Sequence, residues 1–129
     1  MNQAICIELP YPDKVHSHNK GHWATKTRSV KEMRQAAKLV ALDAMNRGAK
    51  PIEGKHRISY LFCVKDNRRR DRANMVQQCK AYIDGIVESG LIEGDHWQVS
   101  ELGAVEVRID KTAAAVVIQI ENLRNKAGK

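Results

Sequence analysis

Nine residues, His56–Val64, read HRISYLFCV, an apolar run with Ile58, Tyr60, Phe62 and Val64 on one side. That is the period of a strand with one buried face. The run leads straight into a polar, cation-rich junction, Lys65–Asp71, and then into a stretch where apolar residues recur at helical spacing. Met75, Val76, Cys79, Ile83, Ile86 and Val87 form that stripe, which predicts a helix from about Arg72 to Ser89 closed by Gly90. A period that switches from two to 3.6 across so short a turn allows few folds, because the strand and helix must share one core. Gly85 falls inside the predicted helix. A mid-helix glycine costs about 1 kcal/mol against alanine, so something is expected to approach closely there.

The flanking sequence extends this unit. Met1–Leu9 alternates through Ile5, Ile7 and Leu9 as a first strand, ended by Pro10-Tyr11-Pro12. Asp13–Arg28 has no apolar period and reads as a donor-rich loop, in which Trp23 offers a flat surface to a base or sugar. Ser29-Val30-Lys31-Glu32 has the form of a capping box and predicts a helix start, continued by Met33, Ala37, Val40, Ala41 and Ala44 up to Gly48. His56 is expected at the mouth of its strand, exposed. After a loop at Leu91–Gln98, with His96 and Trp97 packing it, Val99–Ile109 is a strand. Ala113–Glu121 is expected to return as its hairpin partner, and Asn122–Lys129 as a flexible basic tail. The order β-α-β-α-β-β predicts a single α+β domain over residues 1–129, a mixed four-stranded sheet with two helices packed on it.

Charge narrows the partners. The chain of 129 residues carries 22 Lys and Arg against 15 Asp and Glu, a net charge of +7 with pI near 9.5. That excess favours polyanions through counterion release. It collects at Lys14–Arg34, Lys65–Arg72 and Arg124–Lys129. Cys6, Cys63 and Cys79 lie in apolar-patterned stretches and are expected as reduced core thiols. No apolar run approaches the ~20 residues that span a bilayer, and no secretion signal is visible. The expectation is a cytoplasmic protein without a membrane partner.

The densest chemistry is at the junction. Arg68, Arg69 and Arg70 abut Asp71, and Arg72, Asn74 and Lys80 follow. Phosphodiester hydrolysis needs an activated water and neutralised phosphate charge, which Mg2+ supplies when oxygen ligands hold it open to water. Asp71 starts the predicted helix and Asp95 follows its end. A helix of ~18 residues is ~27 Å long, so the two carboxylates meet only if the loop after Gly90 folds back. Spacing alone does not decide this. Asp71 also fits an N-cap bonded to the Asn74 amide, Asp84 an i,i+4 ion pair with Lys80, and the arginines a solvated loop.

Asp71-x-x-Asn74-Met75, then Lys80, Asp84-Gly85-Ile86, Gly90-Leu91-Ile92 and Asp95, resemble the signature of RusA-type Holliday junction resolvases, small phage-encoded endodeoxyribonucleases. Leu9-Pro10-Tyr11-Pro12 and the loop after it resemble the family less specifically. The resemblance implies Asp71 and Asp95 as metal ligands, Lys80 as a residue needed for cleavage and Asn74 as an orienting group. It also implies Mg2+, or Mn2+ in its place, and a homodimer that resolves four-way DNA junctions by paired nicks in recombination and repair, in a bacterial or phage setting near the nucleoid. Lys20, Trp23, Lys26, Arg68, Arg69, Arg70 and Arg72 are the expected DNA contacts. One departure stands out: the family pattern reads Asp-x-Asp-Asn, and the second aspartate is here Ala73, while Gly94 precedes Asp95. Asp84 turning to the site, Glu93 contributing, or a weakly held metal would each compensate. A branched-DNA-binding protein that does not cut is the alternative, and an RNA-binding module a further one.

Overall fold

The computed structural model describes residues 4–12 and 23–123, with side chains from residue 29 onward in the second segment. In chain order it comprises β1 (Ala4–Pro10), α1 (Trp23–Asn46), β2 (His56–Val64), α2 (Arg72–Gln78), α3 (Lys80–Ser89), β3 (Ser100–Ile109) and β4 (Ala115–Asn122). The fold is α+β, one mixed four-stranded sheet with the helices on one face, as the alternating periods predict.

The strand order is β1-β4-β2-β3. β2 and β3 run parallel, joined by the α2–α3 crossover, whereas β4 runs antiparallel to both β1 and β2. The expected β3–β4 hairpin therefore does not form. The connection after Ile109 instead passes over the end of β2, where the Asp110 amide donates to the Val64 carbonyl at 2.7 Å. The side chains explain the outcome. Val116, Ile118 and Ile120 of β4 are fully buried and suit a central strand. β3 carries exposed Glu101, Glu106 and Arg108, and β1 ends in Pro10, which has no amide to donate, so both suit edges.

Four further expectations need correcting. α1 begins at Trp23, a turn and a half before the capping-box serine, so Ser29 and Glu32 lie inside the helix. The second predicted helix is broken at Cys79, whose amide bonds back only three residues to Val76 (2.9 Å) before the α-pattern resumes with Ile83 on Cys79. Of the cysteines only Cys79 is core, its thiol pushed up to about 12 by burial; Cys6 is exposed and Cys63 half-buried on the open face of the sheet. Asn122 closes β4 opposite His56, so the expected tail starts inside a strand; residues 124–129 lie outside the described part.

The core is built from alternate strand residues and the helix stripes. Ile5, Ile7 and Leu9, Ile58 through Val64, and Val116 through Ile120 face Met33, Ala37, Ala41, Met75, Cys79, Ile83 and Ile86. Tyr60 and Phe62 stack with centroids 5.8 Å apart. α1 and α3 touch where the sequence predicted a close approach. A Cβ on Gly85 would stand 2.1 Å from the Arg34 carbonyl oxygen. Gly85→Ala should therefore lower stability by ~1–3 kcal/mol, although alanine is the better helix former by ~1 kcal/mol. A denaturant midpoint equal to or above that of the parent would disprove this contact.

His56 is not exposed but fully buried, and neither ring nitrogen has a hydrogen-bond partner in good geometry. Burial holds its pKa below the ordinary value, opposed but not cancelled by the Gly54 backbone and the carboxylates of Asp95 and Glu93. The unfolded chain thus takes up this proton first as pH falls. Stability from this residue is complete above about pH 6.5 and is lost as pH drops below it. Between pH 7 and 5 the denaturant midpoint should fall, and His56→Leu should flatten that slope.

Candidate functional site

Gly90 closes α3 in the left-handed conformation (φ 91°), which turns the chain back on itself. Leu91 and Ile92 then plunge into the core, and Ile92 bridges Ile52 while the Ile52 amide donates to the Leu91 carbonyl at 2.7 Å. The Glu93 carboxylate accepts from the Gly54 amide at 3.1 Å. With both ends of the turn fixed in this way, Asp95 arrives beside the start of α3. There the Lys80 ammonium donates to Asp95 Oδ2 at 2.5 Å and to Asp84 Oδ1 at 3.0 Å. The fold-back that spacing could not decide does occur.

This trio is partly open to solvent, with Lys80 60% exposed and the two carboxylates about a third exposed. Hydrogen bonding to Asp95, then to Asp84, raises the Lys80 pKa, and the same bond from Lys80 holds Asp95 below the usual carboxylate range. At neutral pH Lys80 is accordingly a fixed cation and Asp95 a fixed anion. They rim a concavity of about 600 Å³ that also includes Tyr60, Gln77, Glu101 and Trp97. Trp97, expected to pack its loop, is 85% exposed. Sequence reasoning missed it as a site residue. Its place two residues after Asp95, in a turn where the Val99 and Ser100 amides bond to the His96 carbonyl, was the available signal.

Asp71 lines a second concavity, of about 530 Å³, with Lys65, Asp66, Arg68, Arg69, Arg70, Asn74 and Gln78. The two hollows share no lining residue. Asp71 acts as the N-cap of α2, its Oδ1 accepting from the Ala73 amide at 3.0 Å rather than from Asn74 as expected. Nine residues of mostly helical chain separate it from Lys80, about 13 Å at 1.5 Å per residue.

The arginine run divides by role. Asp66 ties the loop, accepting from the Arg68 amide (3.0 Å) and from Arg70 (2.9 Å). Arg70 also donates to the backbone carbonyls of Asp66 and Arg68, and its side chain is only 18% exposed. Arg72 reaches across to the Val105 carbonyl at 3.0 Å. Arg69 and Lys65 are exposed and have no hydrogen-bond or ion-pair partner among the described residues. Lys20 lies outside the described residues, and Trp23 and Lys26 are placed only as backbone of the first turn of α1.

Two donor sets result. Among the described residues no three His, Cys, Asp or Glu side chains gather as a metal-holding group. Asp84 and Asp95 nevertheless bond the same ammonium, so their oxygens are no farther apart than those two bonds laid end to end. A carboxylate pair of that kind, completed by water, suits Mg2+, which keeps several waters in its shell. Of the groups named as compensating for Ala73, Asp84 shares the Lys80 ammonium with Asp95, and Glu93 bonds the Gly54 amide. Asp95→Asn should lower the Lys80 pKa, and Asp84→Asn should lower it less. NMR titration of the lysine side-chain carbon beside the ammonium reads both; an unmoved midpoint in Asp95→Asn would refute the bond.

No helix among the described residues is long and apolar enough to cross a membrane. Against known families and characterised proteins the chain finds no match.

Proposed function

We propose that this protein is a Mg2+-dependent endodeoxyribonuclease acting on branched DNA as a two-fold homodimer, the activity that the RusA resemblance implies. The observation that carries the reading is the return of Asp95 to Lys80 and Asp84 at the start of α3. A cation flanked by two carboxylates, 15 residues apart in sequence at its farther partner, has no need to exist for packing alone, since all three groups are solvent-accessible.

Asp84 and Asp95 would hold the ion, Lys80 making way between them. Bound there, Mg2+ supplies a water of lowered pKa and neutralises charge gathering on the phosphate. The chain's own groups do the rest. Lys80, like any lysine protonated at neutral pH, is a positive charge available to the phosphate and not a base. Trp97 offers its exposed ring to a nucleobase at the rim, a contact of ~1–3 kcal/mol per base. Arg69 and Lys65 present free cations to the backbone, while Arg68 and Arg70 shape the loop that carries them. Asp71 holds the first turn of α2, and with it Asn74, in place.

A second reading, a branched-DNA-binding protein that does not cut, is favoured by one observation: the Lys80 ammonium stands where an ion would bridge the two carboxylates. One assay separates them. The protein is incubated with labelled four-way junction, linear duplex and RNA hairpin, in Mg2+, Mn2+ or EDTA. Paired junction nicks that disappear in EDTA and fall roughly a hundredfold or more in Asp95→Asn, the loss expected on removing a group that stabilises transition-state charge, support the nuclease. Salt-sensitive junction binding without cuts supports the second reading, and Ala73→Asp then tests whether a carboxylate restores cleavage. Preference for the hairpin overturns both.

A further inference from the structure

β3 is an edge strand of the sheet. Because the Asp110 amide points inward to Val64, and backbone direction alternates along a strand, Arg108 and Glu106 also point their amides and carbonyls inward to β2. Ile109, Val107 and Val105 point theirs outward. The Val105 carbonyl confirms the phase, since it is reached from outside the sheet by Arg72. Among the described residues no strand pairs with this edge.

The side chains sort by face in the same register. Leu102, Val107 and Ile109 stand opposite Ile58, Phe62 and Val64 on the helix side, yet are 62%, 40% and 48% exposed, because the helices do not extend over them. Glu106 and Arg108 project from the other face, both exposed and both without an ion-pair or hydrogen-bond partner among the described residues.

We infer that β3 of one copy pairs antiparallel with β3 of a second copy about a two-fold axis at Val107, forming a continuous eight-stranded sheet. Charge favours this register over those centred one residue to either side. Centring on Val107 sets Glu106 of each copy opposite Arg108 of the other, twice over. Centring on residue 106 or 108 sets like charges opposite each other, which destabilises a cross-strand pair. In the favoured register Val107 faces its own counterpart in a hydrogen-bonded pair, and Val105 faces Ile109 on either side, the Ile109 amide taking the second lone pair of the Val105 carbonyl that Arg72 already bonds. Apolar groups meet on the helix face and opposite charges on the other. An edge protected only against pairing would carry charges that repel a second copy; these two attract it.

The inference gives a face to the two-fold assembly proposed above and rests on that part of the reading alone. A strand pairing of this length buries less than the ~1,600 Å² of a standard interface, so dimerisation is expected to depend on concentration. Sedimentation equilibrium of the full chain should give a species of twice the 14.5 kDa chain mass. Glu106→Arg should raise the dissociation constant at least tenfold, and Val107→Pro, which removes an outward amide and no hydrogen bond to β2, should do the same. The swap Glu106→Arg with Arg108→Glu should restore the parent value. Circular dichroism confirms that each variant is folded; if one is not, the others still decide. A parent chain that stays monomeric to its solubility limit overturns both the interface and the two-fold assembly. A dimer unaffected by Glu106→Arg and Val107→Pro, or a swap that fails to restore it, overturns the β3 interface and leaves the two-fold assembly standing.

Discussion

β4 comes last in sequence and lies second in the sheet. Its apolar side chains, Val116, Ile118 and Ile120, are fully buried, and its backbone holds β1 on one side and β2 on the other. Without it the sheet would be two separate pieces: a lone strand carrying α1, and a β2-α-β3 unit. The close contact of α1 with α3 at Gly85 joins the same two pieces through the helical layer. Sheet and helices thus depend on a few long-range contacts made between small or fully apolar groups.

The polar site inherits its geometry from that core. Asp95 is accessible to solvent, but its position follows from Leu91 and Ile92, which are buried, and from the bridge to Ile52. Behind it sits His56, buried without a polar partner and within electrostatic reach of Asp95 and Glu93. Charge at the surface is therefore positioned by apolar anchors beneath it. The second hollow is different in kind. Asp66 and Asp71 spend their carboxylates on backbone amides and arginines, which stiffens the loop between β2 and α2 and leaves Arg69 and Lys65 outward.

Local signals in the chain were sufficient for local structure. The alternation at His56–Val64 gives β2 with its bounds unchanged, the start at Arg72 and the stop at Gly90 hold, and the glycine inside the helix does mark a close approach. These features depend on neighbours a few residues away. Strand order does not. Nothing in a turn such as Asp110-Lys111-Thr112 reveals that it crosses the end of β2, because an Asx turn closing on Thr112 serves a hairpin or a crossing equally. His56 and Trp97 were misjudged for a related reason: burial of a half-polar side chain is set by what lands on it from elsewhere in the chain. In the site, the Lys80–Asp84 pair was legible from its i,i+4 spacing, whereas the approach of Asp95 required the fold itself. The expected meeting of Asp71 with Asp95 assumed one site, and the two line separate hollows.

The register that puts Ala4 beside Glu121 has a consequence for biosynthesis. As the nascent chain leaves the ribosome, β1 emerges about a hundred residues before β4, its partner among the described residues. Until β4 follows, that strand is an unsatisfied template, and β2 has one bare flank. Closure then requires an insertion between two elements already present, a step of high contact order and hence slow. A ribosome stalled before β4 would leave an aggregation-prone fragment rather than a smaller stable protein.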